Sequence, residues 1–344
     1  MQAVSCYVYL GLLIQCNLNC AQLLKTLRKI GNQRTWIVTQ LAAKHNLRIP
    51  QTLIMWQSLV FNATKHLLIF CLVEANTVAK LADTQGKWAK AILGWEHKLS
   101  GQAAISDLGW QHITRELMLA RCSFYARIMK LPDTPVHARM KDMLNAAAHI
   151  DTGWTHHTIT MFRVAISPVP PPTGRMTWHS MLPMATRNLR RLDEAIRQAE
   201  LSRNLTLPLY PKQGPTIKHQ HALYELGMAF NRCKLVGAMR AGMTIFPYST
   251  TACPACGHST HNTGHILRSC KSTKQLLNTW LQQVTPPDGG GRMTLSEAHF
   301  AHSIFDLGSI PTKQERRATV NYVWHATRAA IRAATCRKNG NSVS

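Results

Sequence analysis

Cys253-Pro-Ala-Cys256-Gly-His-Ser-Thr-His-Asn-Thr-Gly-His265-Ile-Leu-Arg-Ser-Cys270 spells C-x2-C-x8-H-x4-C. Three thiolates and one imidazole close a tetrahedral zinc site and leave no open position, so such a site builds structure and does not activate water. The C-x2-C pair lets two sulfurs grip one ion from a tight turn. Gly257 supplies the left-handed backbone that turn needs, and Pro254 stiffens it. Three histidines compete for the third place. His258 stands too close to Cys256. His261 would need a cysteine five places on, where the chain has Ile266. His265 leaves Cys270 as the fourth ligand and is chosen, with Ile266 and Leu267 free to pack beneath the metal. A disulfide pair is the rival reading, but nothing else suggests a small, stapled secreted scaffold. The other seven of the 10 cysteines show no comparable pattern and read as reduced, buried thiols.

Around this stretch lies a chain of 344 residues with 40 Lys plus Arg against 16 acids, a net charge of +24. The excess is spread evenly, about +10, +7 and +7 over residues 1–150, 151–250 and 251–344. It is therefore no basic tail on a neutral enzyme. A surface of this sign attracts polyanions, and nucleic acid is the commonest of them. With 45% hydrophobic residues, the chain can bury a core and is not globally disordered. The apolar run from Ala3 to Ile14 has no preceding Lys or Arg and no clear cleavage site, which argues against a signal peptide. Leu53 to Val73 is interrupted by Asn62, Lys65 and His66, and reads as a buried helix rather than a membrane span. The chain is expected to be intracellular, and the sequons at Asn62 and Asn204 accidental.

The pattern along the chain is mainly α. Cys6 to Gln15 reads as one short strand. Asn19 caps a helix whose inward face carries Leu23, Leu24, Leu27, Ile30, Ile37, Val38 and Leu41, with Gly31 weakening its middle. Pro50 opens a helix to about Ala75, and another runs from Thr77 to Leu93. Ile113, Leu117, Ala120, Phe124 and Ile128 mark a further one that stops before Pro132. Ser167 to Gly174, with four prolines, is the best boundary. After Pro183 a helix places Leu189, Leu192, Ile196 and Ala199 inward and Arg187, Arg190, Arg191 and Arg197 outward. Those arginines form either a solvated charged face or a phosphate-binding one, and because only Asp193 and Glu194 lie near enough to pair with them, phosphate contact is favoured. Pro208 to Pro215 is a second break. A helix from Ser272 to Val284 follows the Cys/His run. A last helix, Lys313 to Ala334, turns Val320, Val323, Trp324, Thr327 and Ile331 inward and carries Arg317, Arg328 and Arg332 on an adjoining face.

The Cys/His run and its surroundings resemble the region downstream of the polymerase in non-LTR (LINE-type) retrotransposon reverse transcriptases. There a basic helical segment ending in R-x-G leads into a CCHC zinc knuckle. Here Lys234 to Gly242 leads to Cys253, and Tyr322-Val323-Trp324-His325 with Arg328 is similar to the basic, Trp-bearing helices that follow. Tyr9-Leu10-Gly11 resembles the strand leaving the palm. Leu108-Gly109-Trp110 and then Tyr125 to Asp133 resemble thumb and post-thumb segments in order. The resemblance implies a palm-edge strand at 1–15, a helical thumb at 16–166, a Pro-bounded linker at 167–250, and a zinc knuckle with helices at 251–344. It implies RNA or DNA, or both, as partners, the polymerase palm and fingers of a parent RNA-directed DNA polymerase as a further partner, a nuclear location, and a structural zinc ion. Arg268, Lys271 and Lys274 would then join the arginines above in touching nucleic acid. The departures are as informative. The chain has no Asp-Asp dipeptide and no clustered carboxylates for two-metal nucleotidyl transfer. Pro287-Asp288 is similar to the start of the family's endonuclease, but no Asp-x-Lys or Glu-x-Lys follows. The expectation is binding without polymerase activity, and neither a small-molecule substrate nor a membrane is expected. Open alternatives are a host RNA- or DNA-binding protein, a protein-interaction knuckle, and a non-functional mobile-element remnant.

Overall fold

The protein is described by a computed structural model, covering residues 6–9, 12–15, 20–69, 75–150, 154–167, 177–203, 222–241, 243, 245–246, 252–259, 262–284, 304–305, 307, 310 and 312–338. It is mainly helical. Where one strand is expected, β1 (Cys6–Tyr9) and β2 (Leu12–Gln15) pair antiparallel, with Cys6 opposite Gln15 and Tyr9 opposite Leu12. The helices are α1 (Cys20–Lys44), α2 (Ile49–Trp56), α3 (Asn62–Leu68), α4 (Ala75–Leu93), α5 (Gly101–Asp107), α6 (Ile113–Lys130), α7 (Pro135–Ala147), α8 (Trp154–Ile166) and α9 (Trp178–Arg203). After them come α10 (Ala222–Glu225), α11 (Phe230–Arg240), α12 (Thr263–Arg268), α13 (Lys274–Gln283) and α14 (Lys313–Lys338). No helix among the described residues is long and apolar enough to cross a membrane. The proline-rich stretches 168–174 and 208–215, expected as breaks, lie outside the described residues.

Two compact units divide the chain, and neither is continuous in sequence. The first takes Met1–Lys44, Gln51–Ile92 and Trp110–Arg197; the second takes His45–Pro50, Leu93–Gly109 and Gln198–Ser344.

In the first unit, Leu23, Leu24, Leu27 and Val38 of α1 are buried, but Ile37, expected inside, is 40% exposed. Gly31, expected as a weak point, is where the Trp88 ring packs: a Cβ there would lie 2.0 Å from the ring. The long helix expected from Pro50 is interrupted by a π-turn, Gln57–Phe61. A π-turn loosens the regular bonding pattern, and the Arg34 Nη1 donates to the Leu59 carbonyl at 2.9 Å. Trp56 stacks on Trp110 with centroids 4.1 Å apart, and its indole N–H donates to Thr35 Oγ1 at 2.9 Å. Helix α9 begins at Trp178 and carries Pro183 inside it, because Thr177 and Ser180 cap it reciprocally, at 3.1 and 3.2 Å. Its inward stripe is also displaced from expectation. Met181, Ala185 and Leu189 pack with Cys122, Ala126, Phe162, Ala165 and Ile166, while Leu192 and Ile196 stand 49% and 48% exposed and Ala199 is exposed. The stripe continues into Asp193 instead. Its carboxylate accepts the His112 backbone N–H at 3.1 Å and lies 3.7 Å from the Arg115 guanidinium. The charge of Arg115 draws that carboxylate inward at the start of α6. Burial lowers the Arg115 pKa; Glu116 and Asp193 oppose that shift, and Arg190 adds to it.

Burial pushes the Cys122 thiol from 9.0 to about 12, against the pull of Arg121. Below pH 9 the thiol is neutral in both folded and unfolded chains, and its contribution is complete. As pH rises toward 12, the unfolded chain gives up the proton that the folded one keeps, so stability falls by at most about 1.4 kcal/mol per pH unit. Urea unfolding of Cys122→Ala is expected to be less steeply dependent on pH across that window than the wild type. An unchanged slope would show that the thiol plays no part.

The second unit is built on α14. Thr319, Val320, Tyr322, Val323, Ala326, Thr327, Ala330 and Ala333 are buried, but Trp324 is only half-buried and Ile331 is 45% exposed, against expectation. Alanines at 326, 330 and 333 explain the shift in phase: small residues let other segments come close where Ile331 would hold them off. Trp280 of α13 stacks on Tyr322 at 5.1 Å, and its N–H donates to Thr319 Oγ1 at 3.3 Å. Thr327 Oγ1 donates to the Met239 sulfur at 3.5 Å, which ties α11 to the same helix.

Candidate metal centre

Residues 252–259 and 262–273 surround a point between four side chains. Cys253 and Cys256 leave a turn in which the Gly257 N–H donates to the Cys253 carbonyl at 2.7 Å and the Cys253 N–H to His258 O at 2.6 Å. Gly257 has φ +79°, the left-handed conformation expected of it. A Cβ there would lie 2.8 Å from the Arg337 guanidinium of α14, the movable end of an exposed side chain, so it is the backbone conformation that calls for glycine. Asn262 caps α12: its side-chain oxygen accepts the His265 N–H at 2.7 Å. That fixes the first turn and so aims the imidazole. The chain then runs through Cys270 into a short 3-10 turn, where Thr273 Oγ1 donates to Ile266 O at 2.5 Å.

The ligand atoms of Cys253, Cys256, His265 and Cys270 all lie within 4.8 Å of one another. Metal–sulfur bonds of about 2.3 Å at tetrahedral angles put sulfurs about 3.8 Å apart. The observed cluster therefore closes on an ion with side-chain adjustments of an ångström or less. His265 Nε2 is the nitrogen facing the sulfurs, 3.3 Å from Cys256 Sγ. Cys253, His265 and Cys270 are at most 1% exposed, and Cys256 is half-buried. The electrostatics prepare one sulfur and hold back another. Burial opposes ionisation of Cys256, but backbone N–H groups of His258 and Lys271, together with the Cys270 and Cys253 thiols, outweigh it and lower its pKa. Cys270 is pushed up to about 11 by burial, against donation from Ser272. A soft set of three thiols and one imidazole, dry and convergent, can hold a metal ion. His258 stays out of the set and stacks on His265 instead, with centroids 5.0 Å apart. His261 lies outside the described residues.

Beneath the cluster, Ile266 packs with Phe246, Ala255, Ala330 and Ala333, and the Tyr322 hydroxyl donates to the Leu267 carbonyl. The Cys/His segment is thus bound into the core of the second unit.

The basic residues singled out from sequence fall into two groups. In the first unit, Arg187 and Arg191 are exposed and Arg190 is half-buried, while the Arg197 side chain lies outside the described residues. In the second unit, Lys271, Lys274, Arg328 and Arg332 are exposed, and Arg268 is half-buried. Arg317 donates its Nε–H to Leu226 O at 2.9 Å, and Arg328 covers the Trp324 ring at 5.4 Å.

Sequence reasoning missed the arginines that face inward. Arg121 is fully buried, donates to Thr158 Oγ1 and Trp154 O, and lies over the Trp154 ring at 5.1 Å. Arg240, of the R-x-G segment, is fully buried against Asp107, at 3.0 and 3.1 Å to the two carboxylate oxygens. Tyr224 donates its hydroxyl to the same carboxylate at 2.9 Å. A signal was available: Asp107 is one of 16 acids and interrupts the apolar run Ala103-Ala-Ile-Ser-Asp-Leu. A lone carboxylate in such a run demands a cation.

No family model, curated protein or solved structure matches this chain.

Proposed function

We propose that this chain binds nucleic acid through a polycationic helical body in which a structural zinc ion, held by Cys253, Cys256, His265 and Cys270, fixes the C-terminal part. The observation that carries the reading is a convergent, buried Cys3His donor set within a chain of net charge +24. Zinc would supply cross-linking alone, since four protein ligands leave no place for water. The resemblance to the post-polymerase region of non-LTR reverse transcriptases supports template RNA and target DNA as ligands and a nuclear location. From the basic helix faces and the surroundings of the Cys/His run, phosphate contacts are assigned to Arg187, Arg190, Arg191, Arg197, Arg268, Lys271, Lys274, Arg317, Arg328 and Arg332. On this reading the chain alone binds without polymerising.

A salt titration tests it. Six or more phosphate contacts are expected to weaken binding of labelled RNA or DNA about a thousand-fold or more between 50 and 200 mM salt. Affinity independent of salt, or no binding at all, would overturn the proposal and favour a protein-interaction role for the Cys/His segment.

A further inference from the structure

We infer that the outer face of α1 is a platform for single-stranded nucleic acid, with Trp36 stacking on an unpaired base between lysines that meet the flanking phosphates. The inference rests on the nucleic-acid reading above and goes further by naming the strand state, the face and the stacking residue.

Trp36 is 63% exposed. Of the nine tryptophans, Trp56, Trp88, Trp95 and Trp280 are buried and Trp110, Trp154, Trp178 and Trp324 are half-buried, so Trp36 alone stands in solvent. Leaving so large an apolar ring in water is unfavourable, and no packing requirement explains it: α1 buries Leu23, Leu24, Leu27 and Val38 on its opposite side. Among the described residues no ring or cation covers Trp36, in contrast to Trp324, whose ring lies beneath Arg328. Its face is available to a flat ligand.

The neighbours select the ligand. At 100° per residue, Lys25, Lys29, Trp36 and Gln40 fall within about 40° of one line along the helix, with Gln33 and Lys44 at its edge. Lys25, Lys29, Gln33, Gln40 and Lys44 are all exposed. The helix Cys20–Lys44 contains five cations and no carboxylate. Lys25 and Lys29 are one helical turn apart, about 6 Å, and Lys29 lies about 10 Å from Trp36. An exposed aromatic in line with amides and lysines matches the way single strands are gripped: the ring takes a base by stacking, and the ammonium groups follow the backbone. The cores of protein–protein interfaces are depleted in lysine, so the same composition argues against a protein partner here. A duplex offers this face only phosphates, because its bases are already stacked on one another.

The test uses the full chain with labelled mixed-sequence single-stranded RNA and, separately, the same sequence as a duplex. Trp36→Ala is expected to weaken single-strand binding about ten-fold or more while leaving duplex binding and the salt slope unchanged. Trp36→Phe, which keeps a ring, should retain most of the affinity. Lys25→Ala with Lys29→Ala should lower the single-strand salt slope by about 1.4. Because the side chain is exposed, helicity by circular dichroism should match the wild type for every variant. If the wild type binds both nucleic acids and Trp36→Ala binds them equally well, or loses both alike, this inference falls while the broader reading stands. If the wild type binds neither, the broader reading has failed. If Trp36→Ala instead dissolves a self-association seen by sedimentation, the face belongs to a second copy of the chain and the inference is wrong.

Discussion

Cys253→Ser is expected to abolish metal binding by the Cys/His cluster and to loosen the part of the second unit packed around it. The four ligands come from two segments, 253–256 and 265–270, that are held by only a few backbone bonds of their own. Structural zinc contributes about 10 kcal/mol or more in comparable sites at neutral pH, as much as the whole stability of a typical domain. Losing one thiolate removes most of that and leaves the remaining buried thiols without a role. Hydrogen exchange should then show protection lost over α12, α13 and the part of α14 that carries Ala330 and Ala333. Protection in α6 and α8, which belong to the first unit, should persist. Elemental analysis should give one ion per chain for the wild type and a clear loss for the variant. Full metal content with unchanged exchange in Cys253→Ser would sink the assignment. Acid should mimic the variant. The metal needs thiolates, and burial pushes Cys270 up to about 11, so the ion must displace a tightly held proton. Affinity for the ion is therefore expected to decline as the pH falls.

The second large effect is expected at Asp107. Its carboxylate holds Arg240 at a site where both side chains are fully buried, and it also accepts the Tyr224 hydroxyl. Asp107→Ala would remove the carboxylate that holds this buried guanidinium, at a cost of about 3–5 kcal/mol. Replacing both partners with apolar residues, Asp107→Leu with Arg240→Met, is expected to recover most of that loss, since neither charge is then buried. Urea unfolding of the second unit measures both variants. A single variant as stable as the double would mean that the pair is not coupled in the way the geometry indicates. The pair lies in α5 and α11, so it joins parts of the chain 133 residues apart and fixes the helix that leads toward the metal ligands.

Much of this was legible in the sequence because local chemistry decided it. The C-x2-C and H-x4-C spacings identified the four side chains that converge, and Gly257 adopts the backbone that its place in the turn required. Helices α4, α6, α13 and α14 keep their expected bounds to within a few residues. What was not legible depended on partners distant in sequence. The phase of α9 could not be read from its own leucines, because Arg115 draws Asp193 inward at the expense of Leu192 and Ile196. In α14, periodicity could not distinguish Ile331 from its smaller neighbours, because close approach favoured the alanines. Nor could the value of Gly31 be seen without Trp88 above it, 57 positions later in the chain.

The small-residue face of the last helix has a consequence for how such a protein can evolve. Small Cys/His modules can fold on the metal they bind with little help from their surroundings. Here the ligands and their roof are encoded far apart, and recombination that transplanted residues 252–284 alone would carry the donors but abandon the alanines that keep them dry. A transfer that kept this centre packed would have to carry Ala330 and Ala333 of the last helix along with the four donors.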